Sequence, residues 1–289
     1  MTMENDREYV ACPLCAASEG AFWAEEAGWT AIQCSDCGTV YLNPRPKLDS
    51  ISESSKSGMH RVVDGVQKRT GRFQTAKIRD FKQRLGEALP ADEAEGLKSW
   101  LDVGCGFGEL LLAVRSMLPD CTLTCGVEPN ERKRAVACGN GLDVHGSMQG
   151  ITGSGFDAIS MINVFSHLPD PRAEFDRIAG ILNPGGLFLV ATGNGPDIPV
   201  DLVPRPLGFP DHLVFFEIRH MERLLEECGF TVIGSNKYQS FFHVNETLRV
   251  LKNIVKSMLG QPKTQKNVGP YFDYLVVARK NGPANHQAQ

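Results

Sequence analysis

Two groups of residues near the start of the chain have types and spacings that could do chemistry. Cys12, Cys15, Cys34 and Cys37 form two CxxC pairs separated by eighteen residues, the spacing of a four-thiolate zinc site. Each pair can aim two sulfurs at one ion, and four thiolates close a tetrahedral shell that leaves no position for water. A zinc ion held this way folds the chain around it and does no chemistry. The second group is Leu101-Asp102-Val103-Gly104-Cys105-Gly106-Phe107-Gly108-Glu109, a glycine-rich turn between an apolar run and a helical pattern. Glycine turns tightly and lets backbone approach a ligand, and a helix start adds free N–H groups. Glu128 follows twenty residues after Gly108, at the end of the next apolar run, where an acid can accept hydrogen bonds from ribose hydroxyls.

Spacing decides which nucleotide the turn suits. The dinucleotide fingerprint GxGxxG needs glycine at 109, and that position is Glu109. Asp102 and Glu109 would also repel a pyrophosphate, whereas a sulfonium ligand carrying an ammonium group would not be repelled. Candidates for proton transfer lie further on. His167 falls just beyond one predicted strand and His212 in the loop after the next, on the side where such sheets form their binding crevice. Histidine titrates near neutral pH, and Asp211 stands where it could orient His212. Asn163, at the end of a predicted strand, is placed to contact a cofactor, though as a turn residue it would be ordinary.

The elements that must position these groups can be read from periodicity. From Leu97 onward, short apolar runs alternate with helical patterns, as in a parallel sheet wrapped by helices. Strands are predicted near 98–103, 121–127, 142–145, 156–163, 186–192, 230–238 and 271–279. Helices fit 109–118, 130–139, 171–182 and 219–228. Phe73, Ile78, Phe81, Leu85 and Leu89 fall close to a helical stripe that could pack beside this domain. A further stripe, Val244, Leu248, Leu251, Val255 and Met258, marks an inserted helix near 244–259, either core or dimer packing or the roof of a substrate pocket. The expected organisation is a zinc ribbon over 9–42, a linker and lid helices over 43–96, an α/β domain over 97–280 and a frayed tail over 281–289. Asn43-Pro44-Arg45-Pro46 and the serine-rich stretch Asp49 to Gly58 have a linker's composition.

Composition narrows the setting. The 289 residues, 42% hydrophobic, suffice for one large core plus a small module. No apolar run approaches the roughly 20 residues of a membrane span, and the polar start lacks a signal peptide's apolar stretch, so a cytoplasmic protein is expected. In that reducing compartment the nine cysteines read as thiols or metal ligands. Cys121 and Cys125, about 13 Å apart on a strand, together with Cys138 and Cys228, read as small core residues. The formal net charge of −4 gives no support to bulk nucleic-acid binding. It conceals a reversal: the first 42 residues hold seven acids against Arg7 alone, and residues 43–85 hold eleven Lys or Arg against four acids. The basic stretch reads as a solvated helix face or as an attraction for an anionic substrate.

The turn from Asp102 to Gly108, Glu128, Gly155-Phe156-Asp157 and Asn183-Pro184-Gly185-Gly186 together resemble the class I S-adenosylmethionine-dependent methyltransferases over roughly residues 97–235. The resemblance implies a Rossmann-like α/β fold, a seven-stranded sheet with the last strand antiparallel. It implies that Asp102, Gly104 and Gly106 line the methionine end of the cofactor and that Glu128 holds its ribose, with Cys105, Gly108, Pro129, Ser147, Met148 and Asn163 beside them. Cys37-Gly38 followed by Val40-Tyr41-Leu42-Asn43-Pro44-Arg45-Pro46 is similar to a bacterial group in which a zinc ribbon precedes this domain, often acting on sugars or other small metabolites. Gly146-Ser147-Met148 lacks the acid common near the adenine, and Phe165-Ser166-His167-Leu168 has serine where glutamate is frequent.

Three functions fit. The leading one is methyl transfer to a small molecule, a sugar or nucleotide-sugar being favoured. An RNA methyltransferase that uses the ribbon for recognition is opposed by the acidic ribbon and by Asn163-Val164-Phe165, where an Asn-Pro-Pro-Tyr type motif would stand. A ribbon that docks a partner on a non-catalytic scaffold is opposed by the intact glycine turn.

Overall fold

The computed structural model describes residues 6–57, 61–63, 66–68, 71–151, 155–193, 196–197, 206–239 and 272–282. The expected inserted helix near 244–259 and residues 283–289 of the tail lie outside them. The N-terminal part forms β1 (Arg7–Glu8), β2 (Gly20–Glu26), β3 (Trp29–Cys34), β4 (Val40–Leu42), β5 (Arg45–Pro46) and α1 (Leu48–Ser57). The short pair β6 (Arg61–Val63) and β7 (Val66–Lys68), then α2 (Thr75–Ala88) and α3 (Ala91–Glu95), lead into the larger sheet. There β8 (Ser99–Val103), α4 (Glu109–Met117), β9 (Leu123–Val127), α5 (Glu131–Gly139), β10 (Asp143–His145), β11 (Phe156–Ile162), α6 (Pro171–Ile181) and β12 (Leu182–Gly193) alternate. β13 (Val214–Phe215), α7 (Ile218–Glu227), β14 (Phe230–Gln239) and β15 (Phe272–Lys280) follow.

The seven-stranded sheet has the order β10-β9-β8-β11-β12-β15-β14. β15 runs antiparallel to both its neighbours, and the pairs from β10 to β12 are parallel. This is the α/β architecture expected from the alternating pattern. The chain moves outward from β8 through β9 to β10 and then returns to place β11 on the other side of β8. That reversal opens a crevice beyond the carboxyl ends of β8 and β11, where Asp102 and Ser160 stand opposite each other in register.

Alternation along the strands sends side chains to two cores. Trp100 packs with Leu85, Leu89, Leu111 and Val114 on one face, which seats α2 against α4 as its stripe predicts. On the other face Leu101, Val103, Phe175, Phe188 and Leu224 form a second core. This second core does not stop at the sheet. It runs through Leu213, Phe215 and Phe216 into Ala31, Tyr41 and Leu42 of the N-terminal sheet. The N-terminal sheet has the order β13-β4-β3-β2, so one of its four strands comes from the loop after β12.

Three sequence expectations change. Residues 48–57, read as linker, form α1: Leu48 and Ile51 share a face, Ile51 packs on the core, and Asp49 and Lys56 sit at the ends where the helix dipole favours them. Its serines are accommodated because Ser50 Oγ donates to Asp6 Oδ1 (2.6 Å) and Ser55 Oγ to the Ile51 carbonyl (3.0 Å). Cys138 is exposed rather than core, since α5 buries Ala137 and the next position turns about 100° away. Cys121 is buried but precedes β9, which begins at Leu123.

Phe165, fully buried, sits where the two sheets' cores join, its ring 4.7 Å from Phe216 and 5.9 Å from Phe175. Phe165→Ala is expected to lower stability by about 3–5 kcal/mol in urea denaturation. A cost under about 1 kcal/mol would show that the junction is not packed as described.

Candidate active site and metal site

The four cysteines converge as their spacing requires. Their sulfurs all lie within 4.8 Å of one another, with Cys12 and Cys37 Sγ 3.5 Å apart and Cys15 and Cys34 Sγ likewise. A zinc ion with bonds of about 2.3 Å needs sulfur separations of about 3.8 Å, so the cluster can hold zinc with small adjustment, and all four thiols are unbridged. Burial pushes the Cys12 thiol up, and burial followed by the nearby cysteines raises the Tyr41 hydroxyl to about 12. Thiolates packed together in a buried site are costly unless a cation is shared among them.

The glycine turn is built by backbone geometry. Gly104, Gly106 and Gly108 all have positive φ (73°, 59° and 84°). A Cβ on Gly104 would meet Val164 at 2.2 Å and one on Gly108 would meet Leu142 at 2.1 Å, while one on Gly106 would meet nothing within 4 Å. The middle glycine therefore faces open space and the outer two pack. Glu128 reaches back to this turn: Oε2 accepts from Gly106 N–H and Oε1 from Asn130 N–H, both at 2.9 Å. Glu109 Oε1 accepts from Gln74 N–H at 3.1 Å, which ties the start of α2 to the turn. Asp102 accepts from Ser160 Oγ (2.6 Å), itself held by Trp100 Nε1 (2.9 Å).

Asp102, Glu109 and Glu128 are thus three carboxylates, each no more than 5% exposed. Among the described residues none of the three makes an ion pair. Burial pushes the Asp102 carboxyl up to about 7, against the Ser160 hydrogen bond, and the charges acting on it are Glu128 and Glu109. A site this negative and this dry suits a cationic ligand, and S-adenosylmethionine carries a sulfonium and an ammonium. Of the other expected cofactor residues, Cys105 is turned away: its Sγ packs over Gly126 and its N–H goes to the Val127 carbonyl. Pro129 lies between Glu128 and Asn130 in the same segment. Ser147 and Met148 begin a short 3-10 turn at the end of β10, and Asn163 is exposed with φ of 57° at the end of β11.

The candidate acid–base residues are brought together. His167 and His212 meet edge to face with centroids 4.9 Å apart. The Asp211 carbonyl, not its carboxylate, holds His167 Nδ1 at 2.8 Å. A carbonyl cannot donate, so His167 carries a proton on Nδ1. His167 and Asp211 line a cavity of about 130 Å³ with Trp29, Ser50, Ser54 and Leu213. Two links join this cavity to the glycine turn: Val164, which packs on Gly104, stands three residues before His167, and Asn130 Nδ2 donates to the Lys56 carbonyl at the end of α1 (2.9 Å). His220, by contrast, is buried with Nε2 on the Cys37 carbonyl (2.8 Å) and Nδ1 accepting from Glu217 N–H (3.2 Å), a structural histidine whose charging burial disfavours.

A sheet of this order with an acid-lined glycine turn at its reversal point defines the class I S-adenosylmethionine-dependent methyltransferases. Residues 70–235, just over half of the chain, match the methyltransferase domain family, and the chain belongs to that family. The ubiquinone biosynthesis O-methyltransferase of Vibrio parahaemolyticus is 27% identical over 168 residues, covering 50% of this chain and 68% of that enzyme. The enzyme of the same name from Pectobacterium atrosepticum is 32% identical over 113 residues, covering 36% of this chain and 47% of its own. Among solved structures, a protein assigned as a sarcosine dimethylglycine methyltransferase from Galdieria sulphuraria aligns with a TM-score of 0.53 at 15% identity, over 71% of this chain and 86% of its own. The cyclase SpnF aligns with a TM-score of 0.50 at 17% identity, over 82% and 92%. These likenesses show the fold; the chemistry rests on the family and the site. Among the described residues no helix is long and apolar enough to cross a membrane.

Two outcomes are expected. Because the N-terminal sheet and the large sheet share β13 and one core, stripping metal with a chelator should lower the melting temperature of the whole chain by roughly 5 °C or more in a single transition; a separate early transition with the main one unmoved would contradict this. The second concerns Asp102. Its folded pKa lies above the unfolded value, so the folded protein retains a proton that the unfolded chain has released. The Asp102 contribution to stability without ligand should therefore fall as pH rises from about 4 to 7, by on the order of 4 kcal/mol, read as the difference between the native protein and Asp102→Asn across that range. A cationic ligand favours the ionised form, so calorimetric affinity for S-adenosylmethionine should rise up to about pH 7 and level off above it, and Asp102→Asn should flatten that profile. Affinity in the native protein independent of pH between 5 and 8 would be inconsistent with this charge assignment.

Proposed function

We propose that the chain transfers the methyl group of S-adenosylmethionine to a hydroxyl of a small, hydroxyl-rich acceptor, a sugar or nucleotide-sugar being favoured, with the His167–His212 pair receiving the proton. The observation that carries this reading is the segment Val164 to His167, which packs on the glycine turn at one end and lines the cavity with a histidine at the other.

Asp102, Glu109 and Glu128 would hold the cofactor by charge, Glu128 through the ribose, and Gly106 would let the backbone come close. The bound cofactor supplies a methyl group already activated for in-line displacement, so positioning does much of the work. A hydroxyl nucleophile must still lose its proton. His167, with its Nδ1 proton on the Asp211 carbonyl, and His212, packed edge to face against its ring, can together take that proton and pass it toward solvent. Ser50, Ser54 and Asp6 beside Trp29 offer hydrogen-bonding groups next to an aromatic ring, which suits a ring bearing several hydroxyls. The basic excess over 43–85 would draw a diphosphate-bearing acceptor. The names of the curated relatives, which transfer methyl to oxygen, favour a hydroxyl over an amine or carbon.

The test uses methyl-labelled S-adenosylmethionine with nucleotide-sugars, free sugars and dihydroxybenzenes as acceptors. Label is expected in a sugar hydroxyl. His167→Ala and His212→Ala should each cut turnover about 10²- to 10⁴-fold while calorimetric cofactor affinity holds. Full turnover in both variants would remove the pair as base, and label confined to a dihydroxybenzene would replace the sugar as acceptor.

A further inference from the structure

Glu26 lies at the end of β2, between the two CxxC pairs, and its carboxylate is held by the main chain of a distant loop. Its oxygens accept from three successive main-chain N–H groups: Leu207 (2.6 Å), Gly208 (2.7 Å) and Phe209 (3.1 Å). Consecutive N–H groups turned to one point form a concave anion site, and here the anion is supplied by the chain itself. Leu207 and Phe209 are buried, and Gly208 has φ of 88°, so the nest is a shaped, largely dry receptor.

The carboxylate is delivered to it by a rigid hairpin. Glu26 pairs with Trp29 across the turn Ala27-Gly28, and both turn residues have positive φ (53° and 76°), as a two-residue type I′ hairpin requires. Arg7 clamps the tip: its guanidinium donates to the Gly28 carbonyl at 3.0 Å and stacks over the Trp29 ring at 4.2 Å. What the nest leads into is the acceptor wall. Asp211 and His212 N–H both return to the Gly208 carbonyl (2.9 and 3.1 Å), and Leu213 N–H bonds the Ser166 carbonyl next to His167 (2.7 Å).

We infer that Glu26 is a positioning residue for the acceptor side of the active site: by filling the nest at 207–209 it sets where Asp211 and His212 stand relative to His167. This rests on the proposed acceptor role of the histidine pair, but the brace itself can be tested without it. The N-terminal sheet is on this account a wall of the catalytic site and not a separate recruiting module.

The experiment compares the full-length native chain with Glu26→Ala and Glu26→Gln by amide hydrogen exchange, calorimetry with S-adenosylmethionine, and methyl transfer to whichever acceptor the native enzyme labels. Glu26→Ala should raise exchange at least tenfold in peptides spanning 206–216, leave those spanning 99–130 unchanged, and keep cofactor Kd within twofold while acceptor KM rises or kcat falls. Glu26→Gln keeps one acceptor oxygen for Gly208 and Phe209 and should recover most of the protection. Unchanged exchange over 206–216, a rise spread over the whole chain with loss of cofactor binding, or a Gln variant no better than Ala would each overturn the inference. If both histidine variants are fully active while the exchange pattern appears as stated, the brace stands and the histidine assignment falls.

Discussion

Three carboxylates buried around one glycine turn, with no cation among the described residues to neutralise them, set the terms for the rest of the molecule. Each would prefer water, and holding Asp102, Glu109 and Glu128 together costs free energy that the packing of two hydrophobic cores must offset. The structure limits that cost with hydrogen bonds. Ser160 serves Asp102, the Gly106 and Asn130 amides serve Glu128, and the Gln74 amide serves Glu109. What these bonds leave is an excess of negative charge in a low-dielectric crevice, and a positively charged ligand is what relieves it. The same electrostatics that disfavour the empty site therefore select against a pyrophosphate and for a sulfonium.

Several supporting elements follow from that requirement. β8 carries Asp102 and β11 carries the serine that holds it, so the register between them is functional as well as structural. α2 begins where Glu109 caps an amide, so the helix that covers one sheet face is also anchored to the crevice. Asp157 does a related task at the opposite end of the sheet. It accepts from the Lys98 and Ser99 amides, the Ser99 hydroxyl and the Asn183 side chain, and those bonds hold its carboxyl below the usual range despite partial burial. Asp157, only partly buried and served by four donors, is held low, while Asp102, fully buried in the crevice with one donor, is raised chiefly by that burial.

The cysteine quartet, the glycine turn and Glu128 were legible in the sequence because each is local: a spacing, a turn, or the end of the next strand. The alternating strands and helices followed for the same reason, as did the crevice, since strand ends carry His167 and the loop carrying His212 to one side of the sheet. Side-chain direction was not legible. Nothing in Gly104-Cys105-Gly106 shows that the Cys105 thiol turns onto Gly126, or that Asp211 would act on His167 through its carbonyl. Long-range partners were also hidden. Glu26 counted as one acid among seven in an acidic segment, and its nest lies 181 residues away or more. Serines at 50, 54 and 55 read as linker because composition does not report the face on which Ile51 packs against the core.

The N-terminal module meets the large sheet chiefly on the side proposed to hold the acceptor. β4 pairs with β13, Leu42 N–H bonds the Leu213 carbonyl (2.8 Å), and His220 of α7 bonds the Cys37 carbonyl beside the four sulfurs. The first two reach the stretch between β12 and α7, which carries His212, the third reaches α7 itself, and none of them touches the glycine turn. α1 of the N-terminal region reaches the cofactor crevice through the Lys56 carbonyl on Asn130. Metal-dependent order in the ribbon is therefore communicated first to the wall where an acceptor would sit. The acid-lined glycine turn is held by a different set of contacts, from β8, β9, β11 and the starts of α2, α4 and α5. A two-substrate enzyme built this way has separate supports for its two sites, and a perturbation of the four-cysteine cluster should be felt in acceptor alignment before it is felt in cofactor affinity.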